Sequence, residues 1–377
     1  MRGTFGYIRW IRRRRRGPLH MEGAIGQVCN GGLGSMHGTR GHSIRLLIGI
    51  LAVATALITP LIASATVTPN LSPNVGSAHV LWTKAQYTSD AQTDPNQLLY
   101  HGGAVETKPA VYLIFWGPEW SKGFSFTVGS FTYTNKTAET YLRDFFGSVG
   151  GSPWAGVQTQ YCQGAAIGGV SCNGALGAQF VQNPSSMLKG VWVDPSAVPS
   201  PIVTTALVEN TTNDPVATEA LRASQHFGYN VNATYFILAQ PGTVATAYGT
   251  VYCAYHSETG HALGARGVRY AFMPYVPEQG AGCGVDSVNQ NDAFGHGYYD
   301  SYSIVAGHEF AEAVTDPDNY NGTQDGWNDA QSSENGDKCA WTGLQNIALR
   351  GQVYAVQPLW SNAAAAGQGA CAVSLGS

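Results

Sequence analysis

The sequence is short of charge. Only 12% of its 377 residues are Asp, Glu, Lys or Arg, about half the ~25% of an ordinary globular chain. With 19 Tyr, 13 Phe and 9 Trp beside that low charge, a disordered chain is excluded. Several signatures are missing. Without a C-x-x-C, a cysteine-held metal has no motif to stand on. Without a G-x-S-x-G, a Ser-His-Asp hydrolase is a poor fit. There is no internal repeat. Long apolar runs are absent except one, Leu46 to Ala65.

Acids are nearly absent from the first 45 residues, which hold nine Arg and one acid, Glu22. The remainder carries 11 Lys+Arg against 23 Asp+Glu, a net charge of −12. That acidity excludes nucleic acid as the expected partner of the mature chain. Arg40 and Arg45 lead into "LLIGILAVATALITPLIASA", which ends in the A-x-A pattern Ala63-Ser64-Ala65. This order is that of a secretory signal. A membrane anchor is the alternative for a run near 20 residues, but Pro60 and the small residues after it favour cleavage. Cleavage leaves no stable membrane anchor and a secreted, extracellular protein. The translation start is expected at Met36 or Met21. The organisation is therefore 1–65 upstream extension and signal, 66–96 a Ser/Thr/Pro-rich leader, and 97–377 one extracellular domain.

Cys29 falls in the removed part, and six cysteines remain: Cys162, Cys172, Cys253, Cys283, Cys339 and Cys371. An even count in an exported chain predicts disulfides. Of the 15 pairings open to six cysteines, the sequential one closes the shortest loops: Cys162–Cys172, Cys253–Cys283 and Cys339–Cys371.

Apolar, β-branched and aromatic residues from Ala110 to Trp116 predict a buried strand ended by Gly117-Pro118. Ala233 to Gln240, "GVRYAFMPYV" and "GQVYAVQPLWSN" read as further strands. "TAETYLRDFFGSV" has helical spacing at Tyr141, Phe145 and Val149. A second helix starts at Asp214-Pro215 and stops at Gly228. Mixed strands and helices in one main domain predict an α+β or α/β fold, a mixed sheet packed with helices.

The chemistry concentrates in "IVAGHEFAEAVTDP", Ile304 to Pro317. Asp300 or Ser301 is expected to cap this helix and Pro317 to end it. It reads as a zincin helix, H-E-x-x-H, with Glu in place of the second His. His308 and Glu312 stand at i and i+4 and share a face, so they can converge on one ion. Glu309 occupies the place of the general base that polarises a metal-bound water. Glu is a legitimate zinc ligand, and its charge also admits a harder divalent cation. Asp316 lies roughly 12 Å from His308 along the axis, at about 1.5 Å per residue, too far for the same ion. Glu334 in "SSENGDKCAW" is the candidate third ligand, with Asp337 orienting a ligand from behind. A plain alternative is a buried His and Glu that hydrogen-bond each other.

"DPDNYNGTQDGWND", Asp316 to Asp329, is rich in oxygen donors, but Tyr320 and Asn321 break the EF-hand spacing, so a solvated turn is expected. His101, His226, His256, His261 and His296 carry no ligand motif, although His256 or His296 can enter through the fold.

Two groups of motifs resemble a known family. "YHGGAVETKPAVYLIFWG" is similar to the opening of the EXORDIUM-like, phosphate-induced proteins of plants and their bacterial relatives. "CAYH" at Cys253 to His256, the Cys283 region, and the H-E-x-x-E helix followed by E-x-G-D-x-C also resemble them. The resemblance spans roughly Tyr100 to Trp341 and implies an extracellular or wall-associated protein. Two functions are in view. One is a secreted, zincin-like metallohydrolase acting on peptides, with zinc or another divalent cation on His308, Glu312 and Glu334 and Glu309 as base. The other is a non-catalytic extracellular protein that binds cell-wall polysaccharide through exposed Trp116, Trp120, Trp154 and Trp327.

Overall fold

A seven-stranded mixed sheet organises the chain. In chain order its strands are β1 (Asn74–Val75), β2 (Ala78–Trp82), β3 (Ala110–Trp116), β4 (Leu188–Asp194), β5 (Ala233–Ala239), β6 (Tyr252–Glu258) and β7 (Arg269–Phe272). Across the sheet they run β1-β2-β6-β7-β5-β3-β4. The pairs β7/β5, β5/β3 and β3/β4 are parallel, and β1/β2, β2/β6 and β6/β7 are antiparallel. This computed structural model describes residues 74–75, 78–87, 96–204, 214–259, 267–318 and 325–375. They fall in one compact unit, Val67–Ser377. The signal segment, the start codons, Cys29 and His261 lie outside the described residues.

The α+β expectation holds, and the apolar strands explain how. In β3, Val111, Leu113 and Phe115 pack on one face while Ala110, Ile114 and Trp116 pack on the other. Both faces are covered, so the strand reads as an uninterrupted apolar run. Three longer helices do the covering: α1 (Asn135–Ser148), α2 (Pro215–Phe227) and α3 (Asp300–Thr315). Helix α1 opens with a reciprocal Thr134/Thr137 capping box and buries Tyr141, Leu142, Phe145 and Phe146 on the face it shares with α3. Helix α2 buries Val216, Ala217, Ala220 and Ala223 on the opposite face. Its start follows the sequence: the Asp214 carboxylate accepts from the N–H groups of Val216 and Ala217 at 2.7 and 3.1 Å. It stops at Gly228, whose φ of 90° suits glycine.

Three readings need correction. Where a leader is expected at 66–96, Ala78–Trp82 forms a sheet strand. The apolar letters of "AHVLW" pair with β6 and are buried, so the order begins well before Leu98. Second, α3 is not capped by Asp300 or Ser301. Tyr299 precedes it without a side-chain bond. Asp300 sits in the first turn and accepts instead from the N–H groups of Val288, Asn289 and Gly297. Third, Trp116, Trp120, Trp154 and Trp327 are 3, 1, 1 and 0% exposed. They are core residues, and no polysaccharide can stack on them. The tail strand is also split, at Gln357-Pro358, into Gln352–Val356 and Leu359–Ser361.

The three sequential disulfides are formed: Cys162–Cys172, Cys253–Cys283 and Cys339–Cys371. They fit an oxidising compartment. No helix among the described residues is long and apolar enough to cross a membrane.

Candidate metal centre

Helix α3 is buried along all of its sixteen residues. A helix enclosed on every side is normally apolar all round. This one carries His308, Glu309 and Glu312, each 0% exposed. It sits on the sheet face that β2 and β6 share. On those strands His79 and His256 are direct cross-strand partners, with ring centroids 4.8 Å apart. The alternation of each strand sends both rings to the α3 side, because Val80 and Tyr255 pack on the other.

The fourth element is the segment around Glu334 and Asp337. The Cys339–Cys371 bridge anchors it from one side. The Asn335 amide donates to the Ala311 carbonyl of α3 at 3.2 Å, and the Asn335 carbonyl accepts from Trp360 N–H at 2.8 Å. Gly336 runs against the centre itself. A Cβ there would lie 2.7 Å from Glu312 Oε1 and 2.9 Å from His308 Nδ1. The glycine of the E-x-G-D-x-C motif thus has a steric reason.

Three sets of three side chains bring ligand atoms within 4.8 Å of one another: His79, His256 and Glu334; His256, Glu309 and Glu312; His308, Glu312 and Asp337. His308 Nε2 is 3.0 Å from Glu312 Oε1 and 3.8 Å from Asp337 Oδ1. His256 Nδ1 is 3.4 Å from Glu309 Oε2 and 3.6 Å from Glu312 Oε2. His79 Nδ1 contacts Glu334 Oε2, and Glu334 Oε1 is 3.7 Å from His256 Nε2.

The remaining ring nitrogen of His308 is held from behind. His308 Nδ1 donates to Gln357 Oε1 at 3.3 Å, and Gln357 is fixed because its amide N–H donates to the Gly336 carbonyl at 2.7 Å. His308 Nε2 then carries a lone pair into the cluster. His256 Nε2 lies 3.3 Å from the Asp316 carbonyl and 3.7 Å from Glu334 Oε1, and Nδ1 faces Glu309 and Glu312, so the tautomer decides which carboxylates its lone pair meets. Gln357 behind His308 is how proteins orient a metal-binding imidazole.

The electrostatics are costly as they stand. Burial pushes the His79 imidazole down to about 3 and His308 down to about 4. It drives His256 down too, helped by the neighbouring His79. Burial raises Glu312 to about 8. Glu309, Glu334 and Asp337 are driven well up by burial and then by the surrounding carboxylates. Neutral imidazoles therefore face four carboxyl groups. Among the described residues the two buried Lys/Arg side chains are engaged elsewhere: Arg269 with Asp318, and Lys338 with Asp329. His256 Nδ1, Glu312 Oε2 and Glu334 Oε1 are buried without a hydrogen-bond partner, while Glu309 has only the Leu81 backbone N–H and His308 Nε2 only Glu312. Lone pairs buried in this way cost several kcal/mol unless something binds them. These groups could hold a metal ion.

The expected residues are thus together, but not in the expected sets. Glu334 closes with the sheet histidines rather than with His308. Asp337 lies on the ligand side of His308, and the orienting position behind the ring belongs to Gln357. Glu309 is enclosed. Of the candidate histidines His256 enters the centre, while His296 stays with Asp292 and the Val353 carbonyl. Asp316 is apart, its oxygens accepting from Gly326 N–H and the Asn328 amide. Residues 319–324 of the oxygen-rich loop lie outside the described residues. At its far end Asp329 Oδ1 accepts from Gln331 and Ser333 N–H, as in a turn. His79 was missed because its segment reads as linker. The available signal was one histidine inside a five-residue apolar run. Comparison with protein-family models, curated proteins and solved structures finds no match for the chain.

Proposed function

We propose that this is an exported metalloprotein whose buried His/carboxylate centre binds a divalent cation, zinc first, and that the bound cation fastens helix α3, the antiparallel half of the sheet and the Glu334–Cys339 segment together. The observation that carries this reading is the inward-facing set of buried, unpartnered nitrogen and oxygen atoms. A cation engages such lone pairs directly, and imidazole mixed with carboxylate suits zinc, with manganese as the harder alternative. Export is supported by the signal-like segment, by the three disulfides, and by the resemblance to the EXORDIUM-like family. The role is structural because every member of the centre is at most 8% exposed, and binding energy at a site absent from the unfolded chain becomes folding energy.

Zinc analysis of purified mature protein, after passage over chelating resin, tests the proposal. A stoichiometric ion is expected, and a metal-free folded protein overturns it.

One observation favours a second reading, a metallopeptidase. Glu309 stands where a zincin base stands, with no side-chain hydrogen bond to either oxygen. Peptide hydrolysis that Glu309→Gln abolishes without loss of metal would establish it, since an amide cannot take the proton of water. Absence of hydrolysis in metal-loaded protein leaves the centre structural.

A further inference from the structure

Resting on the metal-binding reading, we infer that the centre is built for two divalent cations: one on His79, His256 and Glu334, the other on His308, Glu312 and Asp337. Three observations lead there.

The first is distance. Ligands of one small cation, each about 2.1 Å from it, lie no more than about 4.2 Å apart. Seven side chains crowd the centre, yet their ligand atoms close into three sets of three, linked through His256 and Glu312, rather than one larger set. One ion reaches only part of them. Of the three sets, the two named share no residue.

The second is charge. Glu309, Glu312, Glu334 and Asp337 are four carboxyl groups beside three imidazoles, and both buried Lys/Arg side chains among the described residues are taken by Asp318 and Asp329. One divalent cation matches the charge of only two of the four carboxyl groups and leaves the other two to stay protonated. Two cations balance all four.

The third is the pair of carboxylates between the sets. Glu312 places Oε1 by His308 and Oε2 by His256. Glu309 has both oxygens buried without a side-chain hydrogen bond, with Oε2 by His256 Nδ1. Carboxylates between two ions a few ångströms apart are how paired sites share charge.

The test is zinc counting on wild-type protein loaded with zinc chloride and passed over chelating resin. Two equivalents per chain are expected. His79→Ala and Asp337→Asn, with unchanged circular dichroism, should each fall to one, from opposite ends of the centre. A wild-type value of one overturns the two-ion inference and leaves the proposed function standing. A value of zero overturns both. Should either variant fail to fold, the wild-type count still decides.

Discussion

Two buried carboxylate clusters lie on opposite faces of the sheet, and they are handled differently. On the α2 side, Asp194 and Glu219 share Arg222, at 2.7 Å each. The guanidinium is half-exposed and stacks over Trp192. Burial and Asp194 raise Glu219 to about 8, and Arg222 opposes them. The cluster is closed by its own cation. On the α3 side, four carboxyl groups meet three neutral imidazoles, and among the described residues no Arg or Lys is paired with any of the four. Buried acid alone therefore does not indicate a metal. Buried acid with imidazole nitrogens beside it, and without a protein cation, makes a site that could hold one.

Removing the ion should separate the two clusters most. If zinc is present at a thousand times its dissociation constant, chelation costs about 4 kcal/mol, a fall of several degrees in melting temperature. Differential scanning calorimetry with and without EDTA measures it, and an unchanged transition contradicts a structural ion. Glu312→Ala should release the metal, while Glu312→His should retain zinc by restoring the more familiar pair of ligands.

Gly336→Ala comes next. Its methyl would press on Glu312 and His308, and overpacking of this kind costs roughly 1–3 kcal/mol. Zinc content should fall with stability, while the Arg222 cluster is untouched. Full zinc retention would show that the backbone there can yield.

The pH dependence should change with loading. In metal-free protein, Glu312 has a folded pKa of about 8, above the ordinary value of 4.5. The folded state then binds the extra proton, so this stability is present below 4.5 and lost as pH rises through 8. His308 acts oppositely, with a folded pKa of about 4, and its contribution is lost as pH falls from 6.5 to 4. Between 6.5 and 8 the carboxyl effect stands alone, and the melting temperature of chelated protein should decline. Loaded protein should resist that decline, because ions replace the protons. Parallel curves would rule out ions at these carboxylates.

The smallest effect is expected at Glu219→Gln. It should leave zinc content unchanged and slightly reduce the loss of stability between pH 4.5 and 8, to which Glu106, also raised to about 8 by burial, contributes as well. Thermal melts across that range, in loaded protein, would detect it.

Local physics made much of this legible in the letters. A short apolar run rich in β-branched and aromatic residues and closed by Gly117-Pro118 favours a strand over a helix, so Ala110–Trp116 could be bounded from sequence. Asp214-Pro215 and Gly228 act within one turn of themselves and bounded α2. Loop closure favours near neighbours, and the cysteines paired sequentially. His308, Glu309 and Glu312 declared themselves because i and i+4 share a helix face. Tertiary structure decided the rest. His79 and His256 are 177 residues apart and meet through strand register, which no local spacing encodes. Gln357 reaches His308 because a proline-broken strand passes behind α3. The four tryptophans read as exposed are buried, since exposure depends on what packs above a residue. Whether carboxylates pair with an arginine or await a cation depends on which elements the sheet brings to each of its faces.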